Sequence, residues 1–202
     1  MIVVSYLLGT IPTAVLVTRV ATRGSVDIRS AGSGNPGALN TYGVLGAKWG
    51  AVVLLIDVGK AALACVIGRT INVNVADLCG SAAVIGHCFP IWTGFRRGGK
   101  GVACTGGQCL ATFPVYSPVA LLVAIATSRR RFESRSFAAA SITMFIWMFT
   151  AAMWIRYDLP NAWGVHPTWG LLVSAAISGS VIVYKFTTSS PTAPQPPVPA
   201  TS

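Results

Sequence analysis

Apolar runs of bilayer length recur along this chain and are separated by short polar, glycine-rich or basic segments. A helix needs roughly 20 apolar residues to cross the hydrocarbon core, with about 17 as the lower limit. Residues 2–18 form the first such run, interrupted by Gly9 and Pro12. Residues 19–48 are then polar and glycine-rich. Residues 49–68 and 76–92 predict the second and third spans, followed by a basic loop at 94–101. Residues 137–155 carry no charge and are long enough to cross alone, and residues 168–184 predict the last span.

The stretch 101–127 is apolar but basic at both ends, with Arg96, Arg97 and Lys100 before it and Arg129, Arg130, Arg131 and Arg135 after it. Basic flanks belong on the cytoplasmic side, and one straight helix cannot leave that side and return to it. Pro114 and Pro118 sit mid-run, where a helix breaks. The pattern predicts two helices, 101–112 and 115–127, forming a hairpin that dips into the membrane. Of the 15 Lys and Arg residues, all but Arg69, Arg156 and the mid-span Lys60 then fall on one side. This puts the N-terminus outside and the loops 19–48, 94–101 and 128–136 in the cytoplasm. The fold class is therefore an all-α, polytopic membrane helix bundle of about seven helices, with a cytoplasmic C-terminus. Domain organisation follows: one integral membrane domain over 1–186, and a Ser/Thr/Pro-rich tail over 187–202 whose composition predicts disorder.

Composition reinforces this reading. The chain is 53% hydrophobic and 10% charged with mean hydropathy +0.64, against about 25% charge in a soluble domain. The net charge of +10 lies between apolar runs. It therefore points to topology signals and to anionic headgroups or phosphates rather than nucleic acid. No cleavable leader is evident, so the first run reads as a retained span. The five cysteines form no CxxC pair and read as small apolar fillers; no metal or cofactor is expected.

Two motifs carry candidate chemistry. In Ser33-Gly34-Asn35-Pro36-Gly37-Ala38-Leu39-Asn40, glycines permit backbone shapes that expose consecutive N–H groups to an anion, and Ser and Asn add donors. The same residues also make good turn chemistry before a helix. Gly98-Gly99-Lys100-Gly101 leads into a helix whose N-terminus would face a phosphate, with Lys100 as a point charge; the Walker spacing is absent. Asp57 and Lys60 lie mid-span one turn apart, where charges usually face a bundle interior. They read either as a structural ion pair or as the lining of a site. His87, in Gly86-His87-Cys88-Phe89-Pro90, is a third candidate for that lining.

Together these segments resemble the bacterial membrane acyl-phosphate:glycerol-3-phosphate acyltransferase family. The resemblance is carried by the run from Ser5 to Pro12, by Asp27-Ile28-Arg29 with the Ser33 to Asn40 motif, by Asp57 and Lys60, and by Gly86 to Pro90 with Gly98 to Ala103. It covers roughly 5–110 and then fades. It implies a seven-helix protein of the bacterial cytoplasmic membrane that moves a fatty acyl group from acyl-phosphate to the 1-hydroxyl of glycerol 3-phosphate. It also implies Ser33, Asn35 and Asn40 as catalytic residues and Gly98, Gly99, Lys100 and Gly101 as the phosphate-binding loop. Where the family pattern has an Arg, a Thr and an inner Ser, this chain has Gly43, Leu39 and Ala138. A C-terminal His-x-x-Asn motif is missing, and the Arg96-Arg97 pair is one residue long. The alternative is a catalytically weak or silent relative that binds membrane lipid or phosphate through the same loops.

Overall fold

The structure, a computed structural model, describes residues 1–119, 122, 136–162 and 166–188, with the backbone alone at 136–140. Every regular element among these residues is helical: α1 Ile2–Gly9, α2 Thr13–Ala21, α3 Ala38–Leu45, α4 Ala47–Arg69, α5 Val73–Cys88, α6 Val102–Thr112, α7 Ser136–Arg156 and α8 Trp169–Thr188. Short 3-10 turns follow α5 at Ile91–Thr93 and α6 at Pro114–Tyr116. Among the described residues, four helical segments are long and apolar enough to cross a bilayer: Ile2–Ala21, Ala47–Arg69, Val73–Thr93 and Trp169–Thr188. Helix α7 adds 21 residues, about 31 Å at 1.5 Å per residue.

The predicted spans are all present, with shifted ends. Pro12 supplies no amide hydrogen, and its ring crowds the preceding turn. The first span is therefore two helices, broken at Thr10–Pro12. Helix α8 runs to Thr188, two residues into the proposed tail, whose remainder lies outside the described residues. The first arm of the predicted hairpin is α6, ending at Thr112, with Phe113 between it and Pro114; most of the second arm lies outside the described residues. The 19–48 segment needs correction, because it contains α3. Gly37, in extended backbone, precedes that helix, and Gly46 at φ 89° divides it from α4.

Helix α5 is the centre of the bundle. Buried residues make up 61% of its span, against 33–39% in the other three, and it packs on α1, α4, α6 and α8. Small side chains permit this. Ala61, Ala64, Ala83, Val84, Cys88 and Cys104 form one core between α4, α5 and α6, and a Cβ on Gly86 would overlap the Tyr6 carbonyl of α1. Such close approach drives helix association where lipid, as apolar as the side chains, gives no hydrophobic push. All five cysteines are buried and unbridged. A second, aromatic core joins Phe113, Tyr116, Trp147 and Leu171. Buried polar groups tie α5, α6 and α8 together: Ser178 Oγ donates to Gln108 Oε1 at 2.7 Å, and Gln108 Nε2 to Ser81 Oγ at 3.2 Å. Large side chains such as Leu55, Phe145 and Phe149 face outward, as suits a protein solvated by lipid.

Candidate active site

A cleft of about 240 Å³ opens where the α1–α2 break, the segment after α2 and the segment between α5 and α6 converge. Thr10, Ile11 and Pro12 form one wall, His87, Gly98 and Gly99 another, and Arg29, Pro36 and Arg97 a third. The chain break at Pro12 matters here because it turns a membrane span into a wall of backbone carbonyls and side chains at one end of the bundle.

Behind the cleft lies a buried charge cluster. Lys60 Nζ sits 2.8 Å from Asp57 Oδ1, with side chains 3% and 1% exposed. It donates to the Ile11 carbonyl at 3.0 Å and lies 3.0 Å from His87 Nδ1. Asp57 contributes charge rather than aligned hydrogen bonds, since neither carboxylate oxygen has a hydrogen-bond partner. Of the three candidates for the lining, His87 lines the cleft, whereas Asp57 and Lys60 lie behind it. Asp57 and Lys60 form a structural ion pair, which also holds both the Ile11 wall and the His87 ring. Ligand-type atoms of Asp57, His87 and Cys104 lie within 4.8 Å of one another, but the Lys60 ammonium occupies the place a cation would take.

Gly98 and Gly99 are glycine for steric reasons. A Cβ on Gly98 would overlap the His87 and Cys88 carbonyls, and one on Gly99 would overlap His87 Nε2. The Gly99 amide donates to the His87 carbonyl at 3.1 Å, which seats the loop on the end of α5. The proposed phosphate-binding loop is therefore divided: Gly98 and Gly99 line the cleft, whereas Lys100 and Gly101 do not. Lys100 Nζ lies over the Phe186 ring at 4.5 Å, and Gly101, at φ 84°, begins α6.

The first loop is organised by Asn40. Its Oδ1 accepts the Ser33 amide at 2.8 Å, and its Nδ2 donates to the Ala31 and Ile28 carbonyls at 2.9 and 3.1 Å. Buried and used on both sides of its amide, Asn40 acts on backbone. Ser33 is exposed and Asn35 half-buried; this loop reaches the cleft through Pro36.

Sequence reasoning did not single out Arg29, Arg97, Thr10 and Trp92 as site residues. Arg29 forms a two-pronged pair with Asp27, Nε to Oδ1 at 3.1 Å and the terminal nitrogen to Oδ2 at 3.0 Å. These bonds hold the Asp27 carboxyl below its usual range, with the nearby Arg97 charge acting in the same sense. Arg97 adopts φ 56°, uncommon outside glycine. Trp92 Nε1 donates to Thr10 Oγ1 at 2.8 Å across the cleft. The available signal was the pairing of Arg29 with Asp27 two residues away, and a Pro inside the first span.

Fold and site define a helical, multi-pass membrane protein with a basic, glycine-walled cleft at one end of its bundle. The chain belongs to the glycerol-3-phosphate acyltransferase family, whose model matches residues 1–190; the likeness thus extends well past residue 110. The glycerol-3-phosphate acyltransferase of Chlorobaculum tepidum is 33% identical over 91% of this chain and 87% of its own length. That of Pseudomonas paraeruginosa is 42% identical over 69% and 72%. The chain also resembles the crystal structure of PlsY, an integral membrane glycerol 3-phosphate acyltransferase, in its glycerol 3-phosphate form: TM-score 0.69, 32% identity, 92% of this chain and 86% of that one. The lysophosphatidic acid form of PlsY gives a TM-score of 0.67 at 30% identity over 91% of this chain and 85% of that one.

Proposed function

We propose that this protein transfers a fatty acyl group from acyl-phosphate to the 1-hydroxyl of glycerol 3-phosphate, yielding lysophosphatidic acid for phospholipid synthesis. The observation that carries the reading is the cleft itself. It brings two basic residues, Arg29 and Arg97, together with Gly98 and Gly99 at one end of a membrane bundle, and both substrates are phosphate anions. The solved relative PlsY has been crystallised in a glycerol 3-phosphate form and in a lysophosphatidic acid form, the acceptor and the product of this reaction. In the step itself the acceptor oxygen bonds the acyl carbon, and the bond from that carbon to the phosphate oxygen breaks. The electron pair leaves with phosphate, which also takes the hydroxyl proton. The acyl donor is a mixed anhydride with a good leaving group. Catalysis then reduces largely to positioning and to neutralising charge at two phosphates, with no cofactor required.

Within this proposal Ser33 and Asn35 act on the acceptor, Asn40 is a positioning residue, and Lys100 adds positive charge beside the loop. Ser33→Ala is expected to lower kcat, because a hydroxyl near the acceptor orients or relays its proton. Lys100→Ala is expected to act mainly through KM. Steady-state kinetics with both substrates varied check this, and a Lys100→Ala effect confined to kcat would contradict the assignment.

We place the cleft on the cytoplasmic face of the bacterial cytoplasmic membrane, on the strength of the basic loops around it. Since the native cysteines are buried, single cysteines introduced at exposed Arg23 and Asp158 report orientation directly. The Arg23 site is expected to react with an impermeant maleimide only after permeabilisation, and the Asp158 site without it; the reverse pattern would invert the topology.

A further inference from the structure

The contacts around Lys60 determine which nitrogen of His87 carries a proton. A lysine ammonium has three donors and no acceptor; Lys60 Nζ lies 3.0 Å from both the Ile11 carbonyl and His87 Nδ1, and forms an ion pair with Asp57 Oδ1 at 2.8 Å. The ammonium is the counter-charge of the buried Asp57 carboxylate. Nδ1 therefore offers its lone pair to Lys60 and bears no hydrogen. Asp57 Oδ1, 3.6 Å from Nδ1, is too distant to take a hydrogen bond from it. The single ring proton is left on Nε2.

That nitrogen faces the cleft. His87 and Gly99 both line it, and Nε2 is the atom that a Cβ on Gly99 would overlap. Among the described residues Nε2 has no hydrogen-bond partner, and it does not belong to the fully buried unpartnered atoms. We propose that His87 is held as the neutral Nε2–H imidazole, and that this N–H donates to a phosphate oxygen of a substrate in the cleft. Lys60 and Asp57 are the positioning residues that set the tautomer. The role is that of a preorganised donor to developing or resident negative charge. It excludes His87 as general base, since one ring lone pair is engaged by Lys60 and the other nitrogen carries the proton. The proposal rests on the substrate reading above.

The chain has two histidines. The second, His166, is exposed and paired with Asp158, away from the cleft. His166→Gln, purified through a histidine-free tag and labelled with ¹⁵N-histidine, therefore gives the nitrogen spectrum of His87 alone, with activity expected unchanged. The expected result is one bare and one protonated nitrogen, the proton on Nε2. A proton on Nδ1, or an imidazolium at neutral pH, would overturn the proposal. Glycerol 3-phosphate and an alkyl phosphonate analogue of acyl-phosphate are then added separately, and the one that moves the Nε2–H resonance identifies whose phosphate it meets. No movement by either, with binding seen by calorimetry, overturns the donor role. Absence of binding by both overturns the substrate reading and the donor role together, while the tautomer is still read by itself. Activity separates a donor from a strut. His87→Gln keeps an N–H at the reach of Nε2 and is expected to retain activity within about tenfold. His87→Asn keeps only an acceptor for Lys60 and is expected to lose about 100–1,000-fold, the usual range for one such donor. Rescue by Asn rather than Gln would make His87 a strut and refute the proposal.

Discussion

Lys60→Met is expected to remove most of the folded protein from detergent extracts of the membrane. The substitution is nearly isosteric and apolar, but it strands Asp57 as a buried carboxylate whose oxygens have no other partner. It also frees the Ile11 carbonyl and His87 Nδ1. Breaking a buried pair from one side costs about 3–5 kcal/mol, a large part of the roughly 5–15 kcal/mol that keeps a domain folded. Adding Asp57→Asn to Lys60→Met removes the stranded charge and is expected to restore the monodisperse peak on size exclusion. Activity is expected to stay at least about 100-fold down, because a misplaced group near the chemistry has that order of cost and His87 no longer has its anchor. Wild-type yield from Lys60→Met alone would contradict this account of the cluster.

The second large effect is expected at Gly99. An added Cβ overlaps His87 Nε2 and comes within 2.9 Å of its Cε1. The ring cannot retreat, because Lys60 holds its far nitrogen and the Gly99 amide is bonded to the His87 carbonyl. Either the ring or the loop moves, and both line the cleft. Gly99→Ala is expected to lower kcat/KM by about 100-fold or more in protein that still purifies as a single species. Gly106 lies one turn into α6 with open space where its Cβ would be, so Gly106→Ala is expected to leave the rate unchanged. Initial rates of the two alanine variants, measured side by side, check this; equal rates would show that the loop tolerates what the geometry forbids.

The spans were legible because each is an apolar run near bilayer length with at most two charged residues. The break in the first was legible because Pro12 removes a helix donor. Helix α3 was not. Its eight residues include Gly43, and it follows Pro36-Gly37, a turn signal. What makes it a helix is tertiary: Asn40 and Thr41 are buried, and Gly50 lets α4 approach Tyr42 closely. The site was partly legible. Asp57, Lys60 and His87 stood out as polar groups in apolar surroundings, and the structure joins them in one cluster across two helices. Their separation along the chain, 27 residues between Lys60 and His87, hid that contact. Lys100 and Gly99 are neighbours in one motif, yet only Gly99 reaches the cleft, because the backbone turns at Gly101 to begin α6. Arg29 and Arg97 were not singled out as site residues because basic residues in such loops already had an explanation as topology signals.

The central claim is acyl transfer from acyl-phosphate, and a single assay addresses it: product formation by purified protein given palmitoyl-phosphate and glycerol 3-phosphate, with neither acyl-CoA nor acyl carrier protein present. Lysophosphatidic acid and inorganic phosphate are expected to appear together in equal amounts, and the Ser33→Ala/Lys100→Ala double variant is expected to fall far below the wild-type rate. Lysophosphatidic acid formation by the wild type no faster than by that double variant would contradict the account.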